Sequence, residues 1–285
     1  MKRFFDYQND AECWITLAEA EFYPDILSDA CALYLPILQH FSQLLKCASS
    51  SIELFEKINE NNNTWQRIQL CRIFKKYVSP QTPVEMLKKK SEGKKIINQF
   101  SYSFRKIAEV QKNFSNRPMP DEALCALLWE YKDRGKKGYD LTEKFFQFIR
   151  NKHPKLEIIG PERAGKDIQL SSIFPSYPKA NRPVDFIILK NNLPLIIGLA
   201  RYDSDRGGAQ EDDRIGQYRE VAQEIIQFSQ NHFGYPIRIL FLNDGPGLLL
   251  GSMWRDYSAL ENLNSDCIMV ATLRMLEERF SAWVE

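Results

Sequence analysis

The residues with the clearest chemical potential lie in the run Pro183-Val184-Asp185-Phe186-Ile187-Ile188-Leu189. Asp185 is the only ionisable group in that run, and a carboxylate inside an apolar strand is costly to bury unless its charge has a partner. Two partners are chemically natural, a paired arginine or a divalent cation held by hard oxygen donors. The residues alone leave a structural and a functional role for Asp185 equally open. Beyond a polar turn comes Ile196-Ile197-Gly198-Leu199-Ala200-Arg201-Tyr202-Asp203-Ser204-Asp205-Arg206-Gly207-Gly208, followed by Glu211, Asp212 and Arg214. Carboxylates, arginines and glycines are packed here directly behind an apolar strand. Such density at a strand end marks a site more often than a plain turn.

Other chemistries find little support. His40, His153 and His232 lie far apart and give no zinc-ligand spacing. None of the six cysteines forms a CxxC pair, and five sit in apolar helical patterns, which predicts reduced, buried thiols. Gly160-Pro161-Glu162-Arg163-Ala164-Gly165-Lys166 has the glycine and lysine of a phosphate-cradling loop without its spacing, and Asp167 stands where Ser or Thr belongs. Basic residues cluster at Lys88-Lys89-Lys90 with Lys94-Lys95, and at Lys132-Asp133-Arg134-Gly135-Lys136-Lys137. A charge run is usually a solvated face, and it becomes a phosphate-binding surface only where a site asks for one. The net charge of +1 decides nothing about nucleic acid.

The elements that must position Asp185 fall into two halves of different grammar. The chain has 285 residues, 44% hydrophobic and 26% charged, as in a soluble globular protein. No apolar run approaches a membrane span, and the start Met1-Lys2-Arg3-Phe4-Phe5-Asp6 lacks the pattern of a secretory signal, so a cytoplasmic protein with no membrane partner is expected. Residues 1–125 read as all-helical: apolar residues recur at three- and four-residue spacing over Ala11 to Ala20, Ile26 to Leu45, Ile52 to Ile58, Trp65 to Tyr77 and Ile96 to Val110. Breaks fall at Pro24, Asn61-Asn62-Asn63, Pro80 to Pro83 and Asn116 to Pro120. Residues 126–285 alternate instead. A helix is predicted over Leu141 to Asn151, a strand over Leu156 to Ile159, and a polar loop from Gly160 to Pro183. Strands follow at Val184 to Leu189 and Leu195 to Tyr202 around the turn Lys190-Asn191-Asn192. A helix from Arg214 to Asn231, a strand over Ile237 to Leu242, the turn Asp244-Gly245-Pro246-Gly247, a strand over Cys267 to Ala271 and a helix over Leu273 to Trp283 complete the chain. The predicted fold class is α/β, a mixed sheet flanked by helices with an N-terminal all-helical part.

Helix, strand, hairpin, helix and strand in this order, with Asp185 on the first hairpin strand, resemble the core of the PD-(D/E)xK nucleases. The similarity is closest to the GATC-cutting type II restriction endonucleases and runs from about Gly135 to the C-terminus. It rests on Val184-Asp185-Phe186-Ile187-Ile188, on the strand ending in Tyr202-Asp203-Ser204 with Gly207-Gly208, and on Ile239-Leu240-Phe241-Leu242-Asn243-Asp244-Gly245. The resemblance implies a site-specific, Mg2+-dependent endonuclease acting on double-stranded DNA. In such enzymes the Asp and a carboxylate on the second hairpin strand hold Mg2+, and a Lys two residues further orients the attacking water. Here those two positions fall on Gly198 and Ala200.

Three explanations stand side by side. The site has migrated, with Asp203, Glu211 or Asp212 supplying the second carboxylate and Arg201 standing for the Lys; or the hairpin register differs from the count; or the chain binds DNA without cutting it. Arg201 does not deprotonate, so its role under the first explanation is to clamp phosphate and stabilise charge. The resulting expectation is Asp185, Arg201, Asp203 and Glu211 in catalysis, with Asp185, Asp203 and Asp212 on the metal. Glu143, on the first helix of the core, stands near the metal or merely complements the helix dipole. Lys136, Lys137, Arg163, Lys166, Arg206 and Arg214 are expected at phosphates. A homodimer is the simplest way to cut both strands of a symmetric site, and the N-terminal helices are expected to grip DNA or form the dimer surface. An unrelated α/β interaction protein with a structural acidic loop is the rival from another class.

Overall fold

The computed structural model describes residues 1–132, 136–163, 165–204, 209–233 and 237–284; for 136, 137, 209–213 and 233 it describes the backbone only. The chain divides into two compact units, Ala20–Arg134 and a second built from Met1–Glu19 with Gly135–Glu285. This differs from the expected division at 125/126 at both ends. Leu124, Cys125, Leu128 and Trp129 belong to the helical core. Phe4 is fully buried in the other unit, stacked on Trp254 with ring centroids 4.3 Å apart, and its N–H donates to Glu261 Oε2 at 2.6 Å.

The helical unit contains α1 (Ile26–Lys46), α2 (Ser51–Glu60), α3 (Thr64–Tyr77), α4 (Gly93–Phe100), α5 (Ile107–Ser115) and α6 (Glu122–Trp129). Side chains cap three of these at the N-terminus: Ser50, Asn63 and Asp121 accept from the N–H groups of Glu53, Gln66 and Leu124. The continuous helix expected over Ile96 to Val110 is broken between α4 and α5. Phe104 is extended there and sets its ring 5.3 Å from that of Phe74, while the Arg105 N–H donates to the Val78 carbonyl. A half-buried aromatic anchor packed on the helical core and a non-local hydrogen bond outweigh the local periodicity. Of Ala11 to Ala20 only Ala11–Trp14 is helical, because the next residues bond elsewhere: Thr16 N–H to Asp244 and Ala18 N–H to the Tyr202 hydroxyl.

The second unit runs α7 (Lys136–Lys152), β1 (Leu156–Ile159), β2 (Ile168–Gln169), β3 (Pro183–Val184), β4 (Phe186–Lys190), β5 (Leu193–Tyr202), α8 (Ala209–Phe233), β6 (Arg238–Asp244), α9 (Met253–Glu261) and β7 (Ile268–Ala271). Five strands form one mixed sheet in the order β1-β4-β5-β6-β7. β1, β4 and β5 are antiparallel, whereas β5, β6 and β7 are parallel. Asn191 and Asn192 turn the β4–β5 hairpin with φ of 55° and 63°, the left-handed pair that a tight two-residue hairpin needs. α8 and α9 provide the long crossovers that parallel neighbours require.

Helices cover both faces of the sheet. On one face Phe186, paired with Gly198, meets Phe145 and Phe146 of α7 at 4.8 and 6.1 Å. On the other, Phe241, paired with Leu199, meets Tyr218 of α8 at 4.9 Å. The polar stretch expected as loop carries the small antiparallel ladder of β2 and β3. The closing segment is helical in three irregular pieces, Leu273–Met275, Leu276–Phe280 and Ser281–Val284. All six thiols are free, but only Cys71, Cys125 and Cys267 are buried, so the expectation of buried helical cysteines fails at exposed Cys13 and Cys47. Among the described residues no helix is long and apolar enough to cross a membrane.

Candidate functional site

Asp185 occupies the bend between β3 and β4. Its N–H donates to the Gly198 carbonyl at 3.0 Å, and its Oδ2 accepts from the Ala200 N–H at 2.7 Å. Phe186 faces α7, so alternation turns Asp185 towards the α8 face. Burial pushes its carboxyl up to about 6; the Ala200 N–H opposes that rise and the charge of Asp167 adds to it. Among the described residues no lysine or arginine pairs with it. Of the two partners chemistry allows, no arginine stands there among the described residues.

The hairpin register, which shifts between Ile188 and Leu189, shows why position 198 supplies no carboxylate. Gly198 lies opposite Phe186, and a Cβ at 198 would fall inside the Phe186 ring. No side chain fits at 198, so the glycine is required by packing. Ala200 serves Asp185 through its backbone N–H.

The α8 face gathers several of the expected residues. Arg201 of β5 pairs in the ladder with Asn243 of β6, on the face that Leu199 and Phe241 share with Tyr218. Burial raises the Tyr218 phenol well above the usual tyrosine range, and the charges of Arg201, Asp185, Arg214 and Asp203 all act on it. The charges of four of the sequence-predicted residues therefore reach one phenol. Asp203 is 1% exposed and forms an ion pair with Arg201. Its backbone is held in the next turn: its N–H donates to the Asp244 carbonyl at 2.7 Å, and its carbonyl accepts from Gly247 at 2.8 Å. Gly245, at φ 109°, lets that turn close against the Asp203 backbone.

Other expected residues lie elsewhere or outside the description. Arg163 is bound to Glu143 through two hydrogen bonds of 3.0 and 3.1 Å, so each satisfies the other. Lys166 is exposed. Arg206 and the side chains of Lys136, Lys137, Glu211 and Asp212 fall outside the described residues.

Sequence reasoning missed Tyr218, Asn243, Gln169 and Asp167 as site residues. Tyr218 stands four residues after Arg214 on α8, a spacing that puts both on one helix face. Asn243 reads as the start of a turn, but β6 runs on through it; its side chain is fully buried, and neither amide atom has a partner among the described residues. β2 and β3 pair Ile168 with Val184 and Gln169 with Pro183. Gln169 Oε1 is shut off from solvent with no hydrogen-bond partner among the described residues, and Asp167, exposed, immediately precedes this ladder.

Hard oxygen donors of this kind suit Mg2+ better than a soft metal. A half-buried carboxylate with a second carboxylate near it fits a divalent cation in type. Among the described residues no group of three or more His, Cys, Asp or Glu side chains is placed to hold a metal on its own. Comparison with protein-family models, with curated proteins and with solved structures gives no significant match for the chain.

Proposed function

We propose that the chain is a Mg2+-dependent, site-specific endonuclease for double-stranded DNA, a type II restriction enzyme with a PD-(D/E)xK-like core. One observation carries the reading: Asp185 is a half-buried carboxylate at the start of an interior strand whose described partner is a single backbone N–H, with no lysine or arginine paired to it among the described residues. The order of elements supports it. A helix, an antiparallel three-strand meander, a crossover helix and a strand parallel to the third are the parts that the sequence resemblance requires. Bound Mg2+ supplies charge stabilisation at the phosphate and hydroxide near neutral pH.

The chain's own residues divide the remaining work. Asp185 holds the ion, and Ala200 fixes the carboxylate by its N–H. Arg201, oriented by Asp203, presents a permanent positive charge on the same face and clamps the phosphate. It does not take a proton, so a carboxylate beside the ion would have to orient and deprotonate the water. Glu211 and Asp212 stay candidates for that carboxylate, since α8 begins soon after β5 ends. A homodimer and a DNA-gripping or dimerising role for the helical unit remain part of the proposal.

A second reading, DNA binding without cleavage, is favoured by Gly198 alone, which has no room for the missing acid. Plasmid DNA incubated with the protein, with and without Mg2+, separates the two on a gel. Discrete Mg2+-dependent bands support the nuclease, a mobility shift without cutting supports the binder, and neither result removes both.

A further inference from the structure

We propose that Asp167 is the second carboxylate of the Asp185 cation site, with Gln169 Oε1 as a neutral oxygen beside it. The inference rests on the metal-dependent reading above and names the ligand that the hairpin does not supply. β5 offers no acid: the Phe186 ring fills the space at 198, and Asp203 is engaged by Arg201. The β2–β3 ladder offers one. Ile168 pairs with Val184; Asp167 immediately precedes that pair and Asp185 immediately follows it, so the two acids flank one end of the ladder. Val184 is buried in the core and Ile168 packs against it. Alternation therefore turns 167, 169 and 185 to the opposite side of the ladder.

Two further observations point to a ligand there. Gln169 carries a carbonyl oxygen shut off from solvent and lacking any donor, a state native structures avoid unless something unseen satisfies it. Asp167 forms no ion pair among the described residues, and its charge acts on Asp185. Two carboxylates and an amide carbonyl are oxygen donors of the hard class, and Mg2+ commonly takes one or two carboxylates and keeps water in its other positions. A cation between the two acids replaces their repulsion by attraction.

Mn2+, which can be followed by its own electron-spin signal, is the probe. The intact chain would be titrated as wild type, Asp167→Asn, Asp185→Asn and, as a control in the helical unit, Asp29→Asn. The expected result is one saturable site in the wild type and the control, loss of binding in Asp185→Asn, and weakening on the order of tenfold or more in Asp167→Asn. Wild-type affinity in Asp167→Asn with binding lost in Asp185→Asn overturns the inference and leaves the nuclease reading standing. No Mn2+ site in the wild type, or an unaltered one in Asp185→Asn, overturns both. A conservative variant guards against a folding artefact. Asp167→Glu, which keeps a carboxylate at that position, should bind Mn2+ more tightly than Asp167→Asn, and equal affinity of the two counts against ligation by residue 167.

Discussion

Two carboxylates on the sheet, one fully buried and one half-buried, are treated in opposite ways. Asp244, at the end of β6, accepts hydrogen bonds from three backbone N–H groups, those of Thr16, Gly245 and Leu273, at 2.7, 2.7 and 2.9 Å. It ties the N-terminal segment, its own turn and the residues after β7 into one knot. Asp185, at the start of β4, has a single described N–H partner and a second carboxylate nearby. Burial raises both above the usual carboxylate range. What separates them is satisfaction: one carboxylate is used up by the fold, and the other is left with coordination to spare. A half-buried charge with one donor costs stability, and a bound cation would offset that cost.

That contrast can be broken by substitution. Asp244→Ala removes the acceptor from three buried or part-buried N–H groups, each worth about 1–3 kcal/mol when left unpaired. A loss of about 3–5 kcal/mol in urea unfolding is expected. A loss below about 1 kcal/mol would erase the distinction between the two acids.

A smaller loss is expected from Gly198→Ala, because the added methyl group meets the Phe186 ring. Overpacking of this kind costs about 1–3 kcal/mol, read in the same unfolding experiment. An unchanged or raised midpoint would mean that position 198 has room for a side chain and that the missing acid there needs another explanation.

The smallest shift concerns pH. A carboxyl raised to about 6 favours its protonated form in the folded state. Stability is therefore highest below about pH 4, where the unfolded chain also holds the proton, and falls as pH climbs towards 6. Above that the charged group lowers stability by at most about 3 kcal/mol, and by less because Asp185 is partly exposed. Asp185→Asn should raise the melting temperature of the metal-free protein at pH 8 and leave it unchanged at pH 4. Equal effects at the two pH values would show that Asp185 is not destabilised by its charge. Added Mg2+ should raise wild-type melting at pH 8, should do so less below pH 6 where protons compete, and should leave the variant unmoved.

Much of the sheet unit was legible from local signals. β1 stands between Pro154 and Gly160, and its bounds Leu156–Ile159 follow from a short apolar run between breakers. The hairpin follows from two apolar runs around Asn191-Asn192. Asp185 stood out because everything near it is apolar. The rest depends on contacts remote in sequence. Ile168 is a single apolar residue in a polar stretch, and nothing local announces that β2 will pair with β3 or bring Asp167 beside Asp185. The Tyr218 environment draws charges from β5, from the bend before β4 and from α8. Residues 1–19 look helical in isolation, yet Phe4 and Thr16 are claimed by Trp254 and Asp244, far along the chain. Helix periodicity carries no information about which core a segment joins.

The functional meaning of the contrast rests on Asp185, and one experiment addresses it directly. Plasmid DNA and Mg2+ are incubated with wild-type protein and with Asp185→Asn, both checked for folding by circular dichroism and for DNA binding by mobility shift. The wild type should cut at discrete positions only with Mg2+, and the variant should bind DNA while cleaving slower by at least about a hundredfold. Cleavage by Asp185→Asn at the wild-type rate would contradict the assignment of Asp185 as the centre of the site.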